Sequence, residues 1–120
     1  MSRISVSIVD DDAGSRGATA SLVRSLGLQV ETFGSAQEFL DSPACASTAC
    51  LVTDVHMPGI SGLELTGRLR ARRPDCPVIV VTGYPTGSVR EGALECGAAG
   101  FFAKPLAADF LNCLEEQLTP

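Results

Sequence analysis

The chain has no tryptophan, one tyrosine and one histidine, and it is poor in positive charge. Nine lysines and arginines stand against fourteen acids, for a formal net charge of -5. Without a basic stripe, a domain lacks the footprint that grips a phosphate backbone, which argues against direct nucleic-acid binding. No apolar run approaches the roughly 20 residues of a membrane span. Met1-Ser2-Arg3-Ile4 leads into a strand pattern with no cleavable apolar segment. The five cysteines, Cys45, Cys50, Cys76, Cys96 and Cys113, form an odd set with no secretory leader, which fits reduced thiols and a cytoplasmic location. Cys45-x4-Cys50 with His56 lacks a fourth ligand for zinc. There is no repeat, low-complexity stretch or internal linker, so residues 1–120 read as a single domain.

Against these absences stands an alternation of apolar runs and helical patterns, repeated about five times. Ile4 to Val9 reads as a strand and Ala13 to Leu26 as a helix, with Ala18, Leu22, Val23 and Leu26 inward and Gly27 closing it. Gln29 to Phe33 is a second strand, and Ser35 caps a helix through Leu40. Ser42 to Ala49 reads as a loop of small and polar residues, followed by a third strand over Cys50 to Val55. Gly62 to Arg72 carries a helix with Leu63, Leu65 and Leu69 as its stripe. Val78 to Thr82 is a continuous β-branched run typical of a strand covered on both faces. A weak helix near Gly87 to Cys96, a short strand through Phe101 and Phe102, and a helix over Ala107 to Leu118 complete the pattern. Pro85, Gly87, Gly92 and Gly97 are poor helix formers, so the helix after Thr82 is expected to be short or mobile. Alternating strands and helices predict an α/β sandwich: a five-stranded parallel sheet, doubly wound, with helices on both faces.

In such a sheet, ligands bind beyond the carboxyl ends of the strands. Asp10, Asp11, Asp54, Thr82 and Lys104 all fall at or just past strand ends, so distant residues converge on one rim. Three carboxylates, a hydroxyl and an ammonium suit phosphoryl chemistry on a carboxylate. Carboxylate oxygens suit Mg2+, the Lys pairs with a phosphate oxygen, and an Asp nucleophile makes an acyl phosphate. Asp12 fits better as a helix cap than as a metal ligand.

Over Ile4 to about Leu118 the chain resembles the receiver domain of bacterial two-component response regulators. The resemblance rests on Val9-Asp10-Asp11, Asp54-x-x-Met57-Pro58-Gly59-x-x-Gly62, Val81-Thr82-Gly83 and Lys104-Pro105. It implies strand order 2-1-3-4-5, with Asp10 and Asp11 serving Mg2+ and Asp54 as phosphoacceptor and metal ligand. It further implies the His56 carbonyl as a metal ligand, Thr82 as the switch hydroxyl and Lys104 as the phosphate partner. Phe101 would be the switch aromatic and Lys104-Pro105 a cis peptide. A sensor histidine kinase or phosphotransfer protein would be the donor, and the domain would promote only its own phosphorylation and dephosphorylation, without acting as an enzyme on other substrates. A phosphorylation-dependent homodimer would form through the last two helices and the fifth strand. The Met57-to-Gly62 and Val81-to-Gly83 stretches resemble the FixJ/LuxR-output subgroup, which implies transcription regulation through a C-terminal output domain beyond this chain.

The chain departs from the pattern in places. Phe101 lacks the hydroxyl that some members carry there. Tyr84, with His56, is placed to affect the phosphoryl lifetime. The small residues opening the first helix, Ala13, Gly14, Ser15, Gly17 and Ala18, either admit a docking kinase helix beside Pro105-Leu106 or merely pack near the loop. Two other functions compete: a haloacid-dehalogenase-like phosphatase using Asp10 in an Asp10-x-Asp12 pair, and a receiver-like binding module that is not phosphorylated.

Overall fold

The computed structural model describes residues 4–119. Five parallel strands, β1 (Ser5–Val9), β2 (Gln29–Phe33), β3 (Cys50–Asp54), β4 (Val78–Thr82) and β5 (Gly100–Ala103), form one sheet in the order β2-β1-β3-β4-β5. Among the described residues six helices surround it: α1 (Ala13–Arg24), α2 (Ala36–Leu40), α3 (Ala44–Ser47), α4 (Gly62–Arg72), α5 (Gly87–Glu95) and α6 (Ala108–Leu118). Successive side chains of a strand point to opposite faces, so the β-branched runs feed two cores. Val78 and Val80 pack with Phe39, Leu65, Leu69 and Ala93 from α2, α4 and α5. Ile79 and Val81 pack with Ala20, Val23, Phe110 and Leu114 from α1 and α6. β3 and β4 are buried at every position, as a central parallel strand covered by helices must be.

Two local features differ from the periodicity reading. The expected Ser42–Ala49 loop contains the one-turn helix α3, whose Ala44 and Cys45 are buried. Pro43 supplies a backbone already in the helical region, and the Ser42 hydroxyl accepts the Ala44 N–H at 3.1 Å. One turn is too short to leave an apolar period. In α1 the buried residues are Thr19, Ala20 and Val23, whereas Ala18 is exposed and Leu22 and Leu26 are half-buried. The row of Ala18 and Leu22 faces the segment Lys104–Leu106 beyond β5 rather than the sheet.

The helix after Thr82 does form, capped by Thr86, but it is short and buries only Ala93. Gly92 lies against α4, where a Cβ would come 2.8 Å from Leu63 Cδ1. No described helix is long and apolar enough to cross a membrane.

Candidate functional site

The sheet order places β1 and β3 side by side at its centre, with crossovers leaving in opposite directions. That switch point opens a cleft at the carboxyl ends of the strands. The cleft, about 340 Å³, is lined by Asp10, Asp11, Asp12, Ser15, Asp54, His56, Gly83, Tyr84 and Lys104. Asp10 follows β1, and Asp54 is the last residue of β3. One carboxylate oxygen from each of Asp10, Asp11 and Asp54 lies within 4.8 Å of the other two, the one such group of potential metal ligands among the described residues. All are hard oxygen donors, the set that suits Mg2+. Cys45, Cys50 and His56 form no such group among the described residues: Cys50 opens β3, and His56 lies beyond its far end. The five cysteines are free, and burial pushes the thiols of Cys50, Cys76, Cys96 and Cys113 up, away from thiolate chemistry.

Lys104 Nζ sits among the acids, 2.8 Å from Asp10 Oδ2 and 3.2 Å from Asp54 Oδ1. Burial works to lower the pKa of this ammonium. The hydrogen bond that Lys104 donates to Asp10 and the charges of Asp54 and Asp10 outweigh it and hold the pKa above the ordinary lysine value. For Asp54 the balance tips the other way. Burial pushes its carboxyl above the usual range, the charges of Asp10 and Asp11 add to the rise, and Lys104 only partly offsets it. An acid held this way gains from any added positive charge.

Local contacts place Asp10, Asp12 and the backbone of Asp54. Asp10 Oδ1 accepts the Asp12 N–H at 3.0 Å, and Asp12 Oδ2 accepts the Ser15 N–H at 2.7 Å, making Asp12 the cap of α1. Asp54 is held from behind by α4: the Gly62 N–H donates to Val55 O at 2.9 Å, and a Cβ on Gly62 would lie 1.9 Å from Asp54 O. Only glycine admits so close an approach.

The structure brings Asp10, Asp11, Asp54 and Lys104 together, whereas Thr82 is not among the residues that line the cleft. Thr82 is fully buried, and its Oγ1 accepts the Tyr84 N–H at 2.9 Å. Its carbonyl accepts the Lys104 N–H at 2.8 Å, which ties β4 to the end of β5. Phe101 is half-buried against the core on the α4–α5 face. His56 exposes its side chain and meets the Tyr84 ring edge-to-face at 5.8 Å. The Lys104-Pro105 peptide is cis. Ser15, Ala18, Leu22, Pro105 and Leu106 line a second, largely apolar groove of about 460 Å³.

Two contacts escape a reading by motif. The Ser15 hydroxyl accepts from Lys104 Nζ at 2.7 Å, and Arg16 Nη1 donates to the Asp10 carbonyl at 2.7 Å. A hydroxyl and a cation in the first turn after an acidic loop hint at such contacts, but only the packed sheet aims them.

The family model for the response regulator receiver domain matches residues 6–113. The transcriptional regulatory protein FixJ of Azorhizobium caulinodans is 45% identical over 83% of this chain and 47% of its own length. FixJ of Bradyrhizobium diazoefficiens is 37% identical over 91% of this chain and 53% of its own. The crystal structure of FixJ-N superposes with a TM-score of 0.84 at 30% identity, covering 98% of this chain and 95% of that one. The chain thus spans about half the length of the curated relatives it matches. On motif, site geometry and fold together, it belongs to the response regulator receiver domain family.

Proposed function

We propose that this domain is a Mg2+-dependent phosphoacceptor switch. Asp54 takes a phosphoryl group from a sensor histidine kinase or phosphotransfer protein, and the domain then controls an output domain or partner in transcription regulation. One observation carries the reading: at the sheet's switch point the Asp54 carboxylate has two further acids within 4.8 Å and a lysine ammonium at 3.2 Å.

An Asp54 oxygen attacks the phosphorus of the donor phosphohistidine. The phosphorus–nitrogen bond breaks, its electron pair stays on the imidazole, and that nitrogen takes a proton from solvent. Lys104 pairs with a phosphoryl oxygen. Asp10, Asp11, Asp54 and the His56 carbonyl are the groups that would hold Mg2+. Bound there, the ion would offset the repulsion between the phosphoryl group and the acids. Thr82 exchanges its bond from the Tyr84 N–H for one to the phosphoryl group, and Phe101 moves inward behind it. The surface of α5, β5 and α6 changes with it, favouring a phosphorylated homodimer. Leu94, 63% exposed on α5, supports an apolar contact there. A switch of this kind works only through differential stabilisation of its two states.

The phosphatase alternative loses its second acid, because the Asp12 carboxylate caps α1. A non-phosphorylated binding module has no need of the intact cluster of Asp10, Asp11, Asp54 and Lys104. Incubation with acetyl phosphate or phosphoramidate should add one phosphoryl group per chain, followed by intact mass. Chelation of Mg2+ should abolish the gain, and a chain that stays unmodified with Mg2+ present would reject the reading.

A further inference from the structure

We propose that Ser15 is a positioning residue for Lys104, the neutral anchor that keeps the ammonium beside Asp54 when a divalent cation claims the acids. This deepens the phosphoacceptor reading and rests on it. A lysine ammonium has three N–H donors, and three oxygens surround this one. It donates to Ser15 Oγ at 2.7 Å and Asp10 Oδ2 at 2.8 Å, and forms an ion pair with Asp54 Oδ1 at 3.2 Å. Two of the three are carboxylates that also belong to the candidate cation group. A divalent cation on those carboxylates would withdraw their charge from Lys104 and repel the ammonium directly. The Ser15 hydroxyl is uncharged, is no member of that group, and makes the shortest of the three contacts.

Ser15 is itself held in place. Its backbone N–H donates to Asp12 Oδ2 at 2.7 Å in the first turn of α1, and the neighbouring Arg16 ties that turn to the Asp10 carbonyl at 2.7 Å. The anchor is therefore built on the helix end that also orients the acidic loop. Ser15 and Lys104 are also the two residues shared by the acidic cleft and the apolar groove between α1 and Pro105–Leu106. Their bond forms the wall between the two.

The test uses the whole chain and fluoroberyllate, an acyl-phosphate analogue, in saturating Mg2+, followed through backbone amide shifts. Ser15→Ala should weaken fluoroberyllate binding about tenfold, the size of one hydrogen bond to a charged group. Mg2+ affinity and melting temperature should stay at wild-type values, and Ser15→Thr should restore binding. In a Lys104→Met background, Ser15→Ala should have no further effect. Wild-type affinity in Ser15→Ala, or a full loss that persists without Lys104, overturns the inference and leaves the phosphoacceptor reading standing. So does a parallel loss of Mg2+ affinity and melting temperature, the mark of a merely structural serine. If the wild type itself does not bind fluoroberyllate, the phosphoacceptor reading falls and takes the inference with it.

Discussion

At the scale of single residues, the site is a set of unfavourable charges held in balance by one cation. Asp10 is 2% exposed and Asp54 8%, so neither carboxylate is freely solvated, and Lys104 is the ammonium that reaches both. Replacing Lys104 with Met leaves buried charge unpaired, which should destabilise the metal-free protein by about 3 kcal/mol. Mg2+ should recover part of that loss, as urea titrations with and without the ion will show. Asp54 has the opposite sign. Its folded pKa is raised by burial, so the folded state holds the proton more tightly than the unfolded chain does. Stability from this group therefore falls as pH rises from the ordinary carboxylate range through the raised value, and the full cost persists at neutral pH. Asp54→Asn should remove that cost. The Mg2+-free variant should be more stable than wild type at pH 7, with the difference shrinking toward low pH in pH-dependent unfolding curves.

At the scale of elements, α4 sets where Asp54 sits and α5 is the least firmly held helix. The close approach of Gly62 to the Asp54 carbonyl leaves no room for a methyl group. Gly62→Ala should cost about 2–3 kcal/mol through overpacking and weaken Mg2+ binding as Asp54 is displaced. Thermal unfolding and Mg2+ titration check both effects. Helix α5 buries only Ala93 and leaves Leu94 63% exposed. Its amides should exchange about tenfold faster than those of α4, where Leu65, Thr66 and Leu69 are buried. Equal protection in the two helices would remove the argument that this face shifts easily.

Much of the element plan was legible in the sequence because it depends on local chemistry. The β-branched run from Val78 to Thr82 can only be a covered strand, and the caps Asp12 and Ser35 announce their helices. What was not legible depends on phase and on contact. The burial of Thr19 and Ala20 instead of Ala18 follows from how α1 meets the sheet. Helix α3 is a single turn, with no period to read. In the site, Asp10, Asp11, Asp54 and Lys104 could be placed from strand ends alone. The rotation of the Thr82 hydroxyl toward the Tyr84 N–H could not, nor could the reach of Ser15 to Lys104 across 89 residues of sequence.

At the scale of the whole molecule, the parallel sheet converts sequence separation into proximity. Acids just past β1 and at the end of β3 and a lysine beyond β5 share one rim because the strand order puts the switch point between β1 and β3. The consequence is a division of labour among acids that look alike in sequence. Asp12 caps a helix; under the proposed function Asp10 and Asp11 would supply charge for a cation, and Asp54 would react. That assignment is the central claim, and covalent mapping tests it most directly. The chain is treated with acetyl phosphate and Mg2+, the acyl phosphate is trapped by borohydride reduction, and the modified peptide is sequenced by mass spectrometry. The account predicts reduction at Asp54 alone, lost in Asp54→Asn and on chelation of Mg2+; a label on Asp10, or labelling that survives in Asp54→Asn, would contradict it.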